Sequence, residues 1–418
     1  MLTAIATGGV TANPGARVRV DAVDIARGLV MVLMAIDHVR VYAGVPAGGV
    51  TFGLFFTRWI THFCAPAFIF LAGSSAWLRG QAHPGLPRYL LTRGAWLVLL
   101  ELTVLRLAWT FNLDFMGYEL AGVIWVIGWS MILMAPLVRL PPIAAGLIGL
   151  AIIAGHNLLD SSVTTLSLDN DAGSALWKIF YVAFIAGPIR VTDAGPNLIV
   201  LYSIVPWIGV MAAGYAFGQV LTLDAERRTR WCLAIGLSAT VLFVLLRALN
   251  LYGDPRPWTS EVPFSFLSTT KYPASLHFLL MTLGPLIALL PLVDGARGVL
   301  AAWLRLFGRA PLFFYVLHIP LIHALALAVS LAREGKVNPW LFANHPMGSP
   351  PPPDGYTWSL PLLYLVWAIA VVLLYVATHW FIVYRSTSRT TALGESIRIR
   401  LPAAPRVDAA GKPGRGSR

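Results

Sequence analysis

Apolar residues in this chain run in blocks about as long as a membrane crossing, separated by short polar links rich in Gly and Pro. A hydrocarbon core of about 30 Å needs roughly 20 helical residues. Ten blocks fit that scale, at 22–43, 54–78, 94–109, 120–138, 143–159, 197–221, 231–249, 273–292, 310–332 and 359–384. The pattern predicts an all-α polytopic membrane helix bundle of about ten transmembrane helices, bounded by 9 and 11. One stretch complicates the count. Residues 175–188 (ALWKIFYVAFIAGP) are apolar but short, and are read as an interfacial or re-entrant helix. No long polar insert divides the blocks, so residues 21–386 form one domain, preceded by a cytoplasmic leader (1–20) and followed by a basic, disordered tail (387–418).

Charge gives the bundle a direction. Lys and Arg collect in alternate links: Arg17, Arg19 and Arg27; Arg79, Arg88 and Arg93; Arg139; Arg227, Arg228 and Arg230; Arg297, Arg305 and Arg309; and the tail from Arg385 onward. Short loops with such an excess stay on the cytoplasmic side, which puts both termini inside. Counting 175–188 as a span would move the basic tail outside. Composition agrees with this class: 57% of residues are apolar and 12% charged, against about a quarter charged in soluble domains. The net charge of +12 therefore reflects topology, and no basic stripe with interleaved aromatics points to nucleic acid. Residues 1–20 lack the basic start, apolar core and cleavage site of a signal peptide. Cys64 and Cys232 fall inside apolar blocks and read as small buried residues. Gly214 and Gly218 make a small-xxx-small spacing that serves close helix packing.

Candidate chemistry begins in the first block, VDIARGLVMVLMAIDHVRVY, which is ionisable at both ends through Asp24, Arg27, Asp37, His38 and Arg40. Ionisable groups at membrane depth are costly and mark function. His38, His62, His156, His277, His318 and His323 all fall toward the outer half or middle of their blocks, which suggests a shared polar cavity where imidazole could move a proton. Glu101 lies well inside the third block with Arg106 one and a half turns on, and since a buried carboxylate usually finds a cationic partner it is read as a structural ion pair or as part of the site. No His pair sits in HExxH and no Cys/His knuckle occurs, so no metal site is expected. Phosphate loops and GxSxG elbows are also lacking.

Three blocks together, RVDAVDIARGLVMVLMAIDH, THFCAPAFIFLAGSSAWL and FGRAPLFFYVLHIPLIH, resemble the bacterial heparan-alpha-glucosaminide N-acetyltransferase-like membrane proteins, within a wider superfamily of transmembrane acyltransferases. The resemblance runs from about Arg19 to Tyr384. The Asp-x-x-Arg-Gly start (Asp24, Arg27, Gly28) is shared with the family 3 membrane acyltransferases, which also place a histidine eleven positions after that arginine, here His38. Tyr315 and His318 match their Tyr-x-x-His pattern. By this resemblance Arg27 and His38 take roles in acyl-CoA use and catalysis. The heparan-type enzymes carry their proposed catalytic histidine in the loop after the first span, and residues 44–53 contain none, so His38 or His62 takes that work.

The resemblance implies an acyltransferase of the bacterial cytoplasmic (inner) membrane that moves an acyl, most simply acetyl, group from acetyl-CoA or another acyl-CoA to a hydroxyl or amine of a sugar or glycan. Catalytic candidates are His38, His62, Asp37 and His318, with Asp37 or another carboxylate orienting His38. Donor-binding candidates are Asp24, Arg27, Arg93 and Arg309, in a basic inner vestibule that also draws on Arg88 and Arg305. Partners are membrane lipid and a small-molecule or glycan acceptor, with homo-oligomerisation left open. The alternative is a proton-coupled transporter with relaying histidines, which Pro136, Pro206, Pro285 and Pro320 would serve by breaking helices. A scaffold without chemistry leaves Asp37, Glu101 and the histidines unexplained.

Overall fold

The structure, a computed structural model, describes residues 20–160, 172–346 and 350–400. Each apolar block is built mainly of helix. The first is α1 (Asp21–Tyr42). The second is α2 (Phe52–Trp59), continued through a tight turn into α3 (Cys64–Ala82). The third is α4 (Leu86–Leu100), a π-helical turn at Glu101–Leu105 and α5 (Arg106–Thr110). Then follow α6 (Val123–Leu137), α7 (Pro142–Gly155), a short α8 (Ala172–Trp177), α9 (Ile204–Phe217), α10 (Ala225–Ala248) and α11 (Leu276–Val293). The chain ends with α12 (Val299–Arg309), α13 (Pro311–Glu334) and α14 (Leu360–Arg400).

Among the described residues, seven helical stretches are long and apolar enough to cross a membrane: Phe52–Ala82, Pro142–Leu159, Ile204–Thr222, Ala225–Ala248, Leu276–Val293, Pro311–Glu334 and Leu360–Thr387. The other three blocks fall short for identifiable reasons. α1 carries Asp24, Arg27, Asp37 and Arg40, and the helices of the third block, which begin earlier at Leu86, carry Arg93, Glu101 and Arg106. α6 has only 15 residues. Residues 172–186 form a few turns of changing pitch, too short to cross a membrane as one helix. The described backbone of α14 is continuous to Arg400, while residues 1–19 and 401–418 lie outside the described residues.

Two features depart from the block pattern. α12 was not among the predicted blocks, because it is short and amphipathic. The sixth block begins as a strand, β3 (Asn197–Val200), which pairs in parallel with β1 (Glu119–Ala121) and antiparallel with β2 (Ile189–Arg190). The links before α6 and α9 thus satisfy each other's backbone groups before the helices begin.

Helix seams are built on facing small residues. Gly28 of α1 faces the Leu304 backbone of α12, and Gly308 of α12 faces the Asp24 backbone of α1, so a Cβ at either position would overlap a carbonyl. Gly73 and Gly214 do the same between α3 and α9. Without a hydrophobic force between helices in lipid, such close backbone approach is a main source of cohesion. α9 and α11 are mostly enclosed, whereas α10 and α14 expose apolar side chains such as Val241, Leu245, Val376 and Trp380 on the periphery.

Candidate active site

At the start of α1, the i, i+3 spacing puts Asp24 and Arg27 on one face, where they form an ion pair at 3.6 Å. Arg27 also donates to Ser75 Oγ of α3 at 2.8 Å and to the Gly308 carbonyl at 3.4 Å. Gly28 is what lets α12 come close enough for that last contact. The Asp-x-x-Arg-Gly motif is therefore a three-helix junction with a cation at its centre.

Three turns further on, His38 meets His318 of α13. His38 Nδ1 lies 2.6 Å from His318 Nε2, with the ring planes 22° from parallel. His318 is fully buried, and its Nδ1 faces the Tyr315 carbonyl at 2.5 Å. A carbonyl only accepts, so Nδ1 of His318 carries the proton and its Nε2 presents a lone pair. In the neutral pair His38 Nδ1–H must donate to that lone pair, leaving His38 Nε2 as an available base. Trp109 packs edge-on against the other side of His38 at 4.8 Å and fixes the ring plane.

Beside this pair is Glu101, 1% exposed. Its carboxylate accepts from the Trp125 backbone N–H at 3.1 Å and lies against Gly122, where α6 begins. The positive end of that helix takes the place of a basic partner. The expected Glu101–Arg106 ion pair does not form. The π-helical turn between them changes the helical register, and Arg106 instead donates to the carbonyls of Tyr118, Asn112 and Asp114. Arg247 acts alike at the end of α10, gathering the carbonyls of Phe266, Arg256, Ser265 and Ser268. Both intramembrane arginines thus hold loops.

Three cavities follow α1 in succession. A chamber of about 50 Å³ is lined by His38, Glu101, Trp109 and Tyr315. It shares Val123 and Tyr315 with a cavity of about 810 Å³ at the start of α1, whose wall holds Arg27, Arg79, Arg93, Arg309 and Arg385. It shares Val41 and Tyr272 with a cavity of about 820 Å³ at the other end, which holds Arg40, Arg58, Arg256 and Lys271. The histidine pair sits where two basic cavities approach each other.

The expected site residues divide accordingly. Arg27, Arg93 and Arg309 share one cavity wall, and Asp24 lines an adjoining recess with Arg27 and Arg309. Arg88 and Arg305 do not line that cavity; Arg305 instead pairs with Asp21 at 3.3 Å. Asp37 does not orient His38. Its two oxygens are taken by Arg40 at 2.8 Å and Arg58 at 2.6 Å, and His318 holds the imidazole instead. His62 lines the Arg58 cavity, with its ring edge-on to Phe278.

The single histidine cavity inferred from depth alone resolves into separate sites. Both nitrogens of His156 meet carbonyls, of Ile152 and Ala274. His323 is stacked between Tyr42 and Phe111, and His277 packs against Phe243. Equal depth does not mean equal azimuth, which a sequence does not reveal. His345, in the loop after α13, stacks on Trp340 at 3.8 Å; burial, with a smaller push from His323, takes its imidazole down to about 3, so it adds no charge to the cavity it lines. Arg79, Arg385, Arg256 and Lys271 were not singled out as site residues; their only sequence signal was charge near a span end. Among the described residues no group of three or more His, Cys, Asp or Glu could hold a metal.

The family described as "Heparan-alpha-glucosaminide N-acetyltransferase, catalytic" matches residues 19–252, more than half of the chain. The chain belongs to this family. A membrane acyltransferase-like enzyme follows from that membership, and the helical bundle accords with it. A comparison with curated proteins found no match. The heparan-alpha-glucosaminide N-acetyltransferase match takes in Arg27, His38, His62, Arg93 and Glu101 but stops before His318, Tyr315 and Arg309. The second imidazole and part of the basic wall are thus supplied by the remainder of the chain.

Proposed function

We propose that the enzyme transfers a short acyl group, most simply acetyl, from cytoplasmic acyl-CoA to an amine or hydroxyl of a sugar or glycan entering from the opposite face. The observation that carries this reading is the His38–His318 pair at a small chamber between two basic cavities. The charge rule assigns the Arg27 cavity to the cytoplasmic side, where its five arginines suit the phosphates of CoA. Arg27 and His38 are eleven residues apart on one helix, about 16 Å at 1.5 Å per residue. An extended pantetheine arm covers that distance, and the small chamber favours a short acyl chain.

His38 Nε2 then accepts the proton of the acceptor amine or hydroxyl as that group attacks the thioester carbonyl. A C–N or C–O bond forms, the C–S bond breaks, and the proton held on His38 passes to the departing thiolate. His318 stabilises the transient imidazolium by accepting from its Nδ1–H, as an orienting group does in other acid–base pairs. Arg27, Arg93 and Arg309 bind and position the donor.

The test is CoA release by the purified full chain from acetyl-CoA, with glucosamine as first acceptor, in wild type and His38→Ala. Acceptor-dependent release lost in the variant is expected. Equal rates in both proteins would remove the assignment. The transporter reading is disfavoured by one feature of the fold: Pro136, Pro206, Pro285 and Pro320 all lie within continuous helices, so the broken spans it would use do not arise there.

A further inference from the structure

The cavity beyond the histidine pair carries an unbalanced charge. Arg40, Arg58, Arg256 and Lys271 line it, and no carboxylate occurs among its described lining residues. Asp37, just behind the wall, is shared by Arg40 and Arg58. Asp254, the other nearby acid, turns its oxygens to Thr270, Ser275 and the backbone N–H of Arg256 rather than to a cationic side chain. Arg256 donates from Nε to the neutral Thr270 hydroxyl.

Among these cations, Lys271 is the enclosed one that no described carboxylate pairs with. The residue is 7% exposed, and its ammonium lies 5.2 Å from the Tyr272 ring and 5.9 Å from the Tyr202 ring. No described carboxylate comes within ion-pair reach of it. Ring faces offer a cation far less than water or a carboxylate does. An ammonium this enclosed, opening onto a large cavity whose other cations repel it, is arranged for an anion from outside the protein.

We infer that Lys271 and Arg256 form the seat for an anionic substituent on the acceptor, a phosphate or a group of similar charge, which holds the acceptor with its nucleophile toward His38. The inference rests on the acyl-transfer reading and adds to it the acceptor's chemical class. Arg58 and Arg40, braced by Asp37, supply the field around the seat without being its main contacts. Lys271 precedes Tyr272, whose side chain lines both the cavity and the His38 chamber, so an anion at Lys271 anchors its molecule next to the reacting group.

The experiment measures thermal unfolding of the full chain in detergent, without acyl donor, in the presence of glucosamine 6-phosphate, glucosamine or dihexanoyl phosphatidic acid at millimolar concentration. A specific native-state ligand raises the melting temperature. Glucosamine 6-phosphate is expected to raise it and glucosamine to leave it unchanged. Lys271→Met should need about tenfold more sugar phosphate for the same shift, the usual scale for losing one charged contact, and Lys271→Arg should restore most of it. Acetyl-CoA should stabilise wild type and Lys271→Met alike, which also shows that the variant is folded.

Equal shifts with both sugars, no shift with either, or an undiminished shift in Lys271→Met overturns the inference. A shift with the phosphatidic acid alone assigns the seat to a lipid headgroup and overturns it too. If CoA release fails with every acceptor while the phosphate-dependent shift persists, the acyl-transfer reading falls and the anion seat stands. If glucosamine is acylated and phosphate adds nothing to binding, the enzyme reading stands and the seat falls.

Discussion

Because the Tyr315 carbonyl can only accept a hydrogen bond, the two rings of the His38–His318 pair are not equivalent, and replacing each has a different consequence. His38→Ala removes the proposed base and should lower acceptor-dependent CoA release by about 10²–10⁴-fold, the usual contribution of general base catalysis. His318→Leu leaves the base but takes away its orienting acceptor. The expected loss is on the order of 10-fold to 10²-fold, with the acetyl-CoA stabilisation kept. His318→Gln, whose amide oxygen can accept from His38 Nδ1, should recover part of it. A His318→Leu enzyme as fast as wild type would show that the pair is structural. Glu101 gives a separate prediction in the same chamber. Replacing it with Leu strands the N–H groups at the start of α6, and the variant should lose about 1–3 kcal/mol of stability, seen as a lower melting temperature, whereas Glu101→Gln keeps an acceptor and should lose less.

Helices matter here through what their seams bring together. α12, the short amphipathic helix outside the apolar-block pattern, presses on the start of α1 through Gly28 and Gly308 and so completes the junction around Arg27. Gly308→Val would drive a side chain into the Asp24 backbone. Overpacking of that kind costs about 1–3 kcal/mol, so the variant should melt earlier. Since the displaced helix end carries Arg309, the acetyl-CoA-dependent rise in melting temperature should shrink as well. The same substitution at Gly335, which faces open space but has a left-handed backbone, should lower stability without touching donor binding. Equal donor stabilisation in Gly308→Val and wild type would separate the seam from the site. The π-helical turn at Glu101 is a second device at this scale, since it frees Glu101 to reach α6 while Arg106 turns to the loop carbonyls.

For the whole molecule, the arrangement is two basic mouths on opposite ends of α1 with a narrow chamber between them. That geometry predicts sidedness. With native Cys64 and Cys232 buried, Ala82→Cys at the Arg27 end and Ala47→Cys at the Arg58 end report the two faces. A membrane-impermeant maleimide should label Ala47→Cys in intact cells and Ala82→Cys only in inverted vesicles; the reverse pattern would exchange donor and acceptor sides. Much of this could be read from the chain alone. Block length gave the helices, because a membrane demands a fixed run of apolar residues. Alternating arginines predict the direction, because short loops retain cations on one side. The Asp24–Arg27–Gly28 and Tyr315–His318 motifs, by their resemblance to acyltransferase motifs, pointed to the candidate site, and each could be seen because its spacing lies within a single helix. What the chain could not disclose was rotation and partnership. Whether His38 faces His62 or His318, whether Asp37 serves an imidazole or two guanidiniums, and whether Glu101 meets Arg106 or a helix end all depend on how each helix turns about its own axis. Backbone approach at glycine seams and a local change of pitch fix that angle, and side chains far apart in sequence meet only once it is fixed.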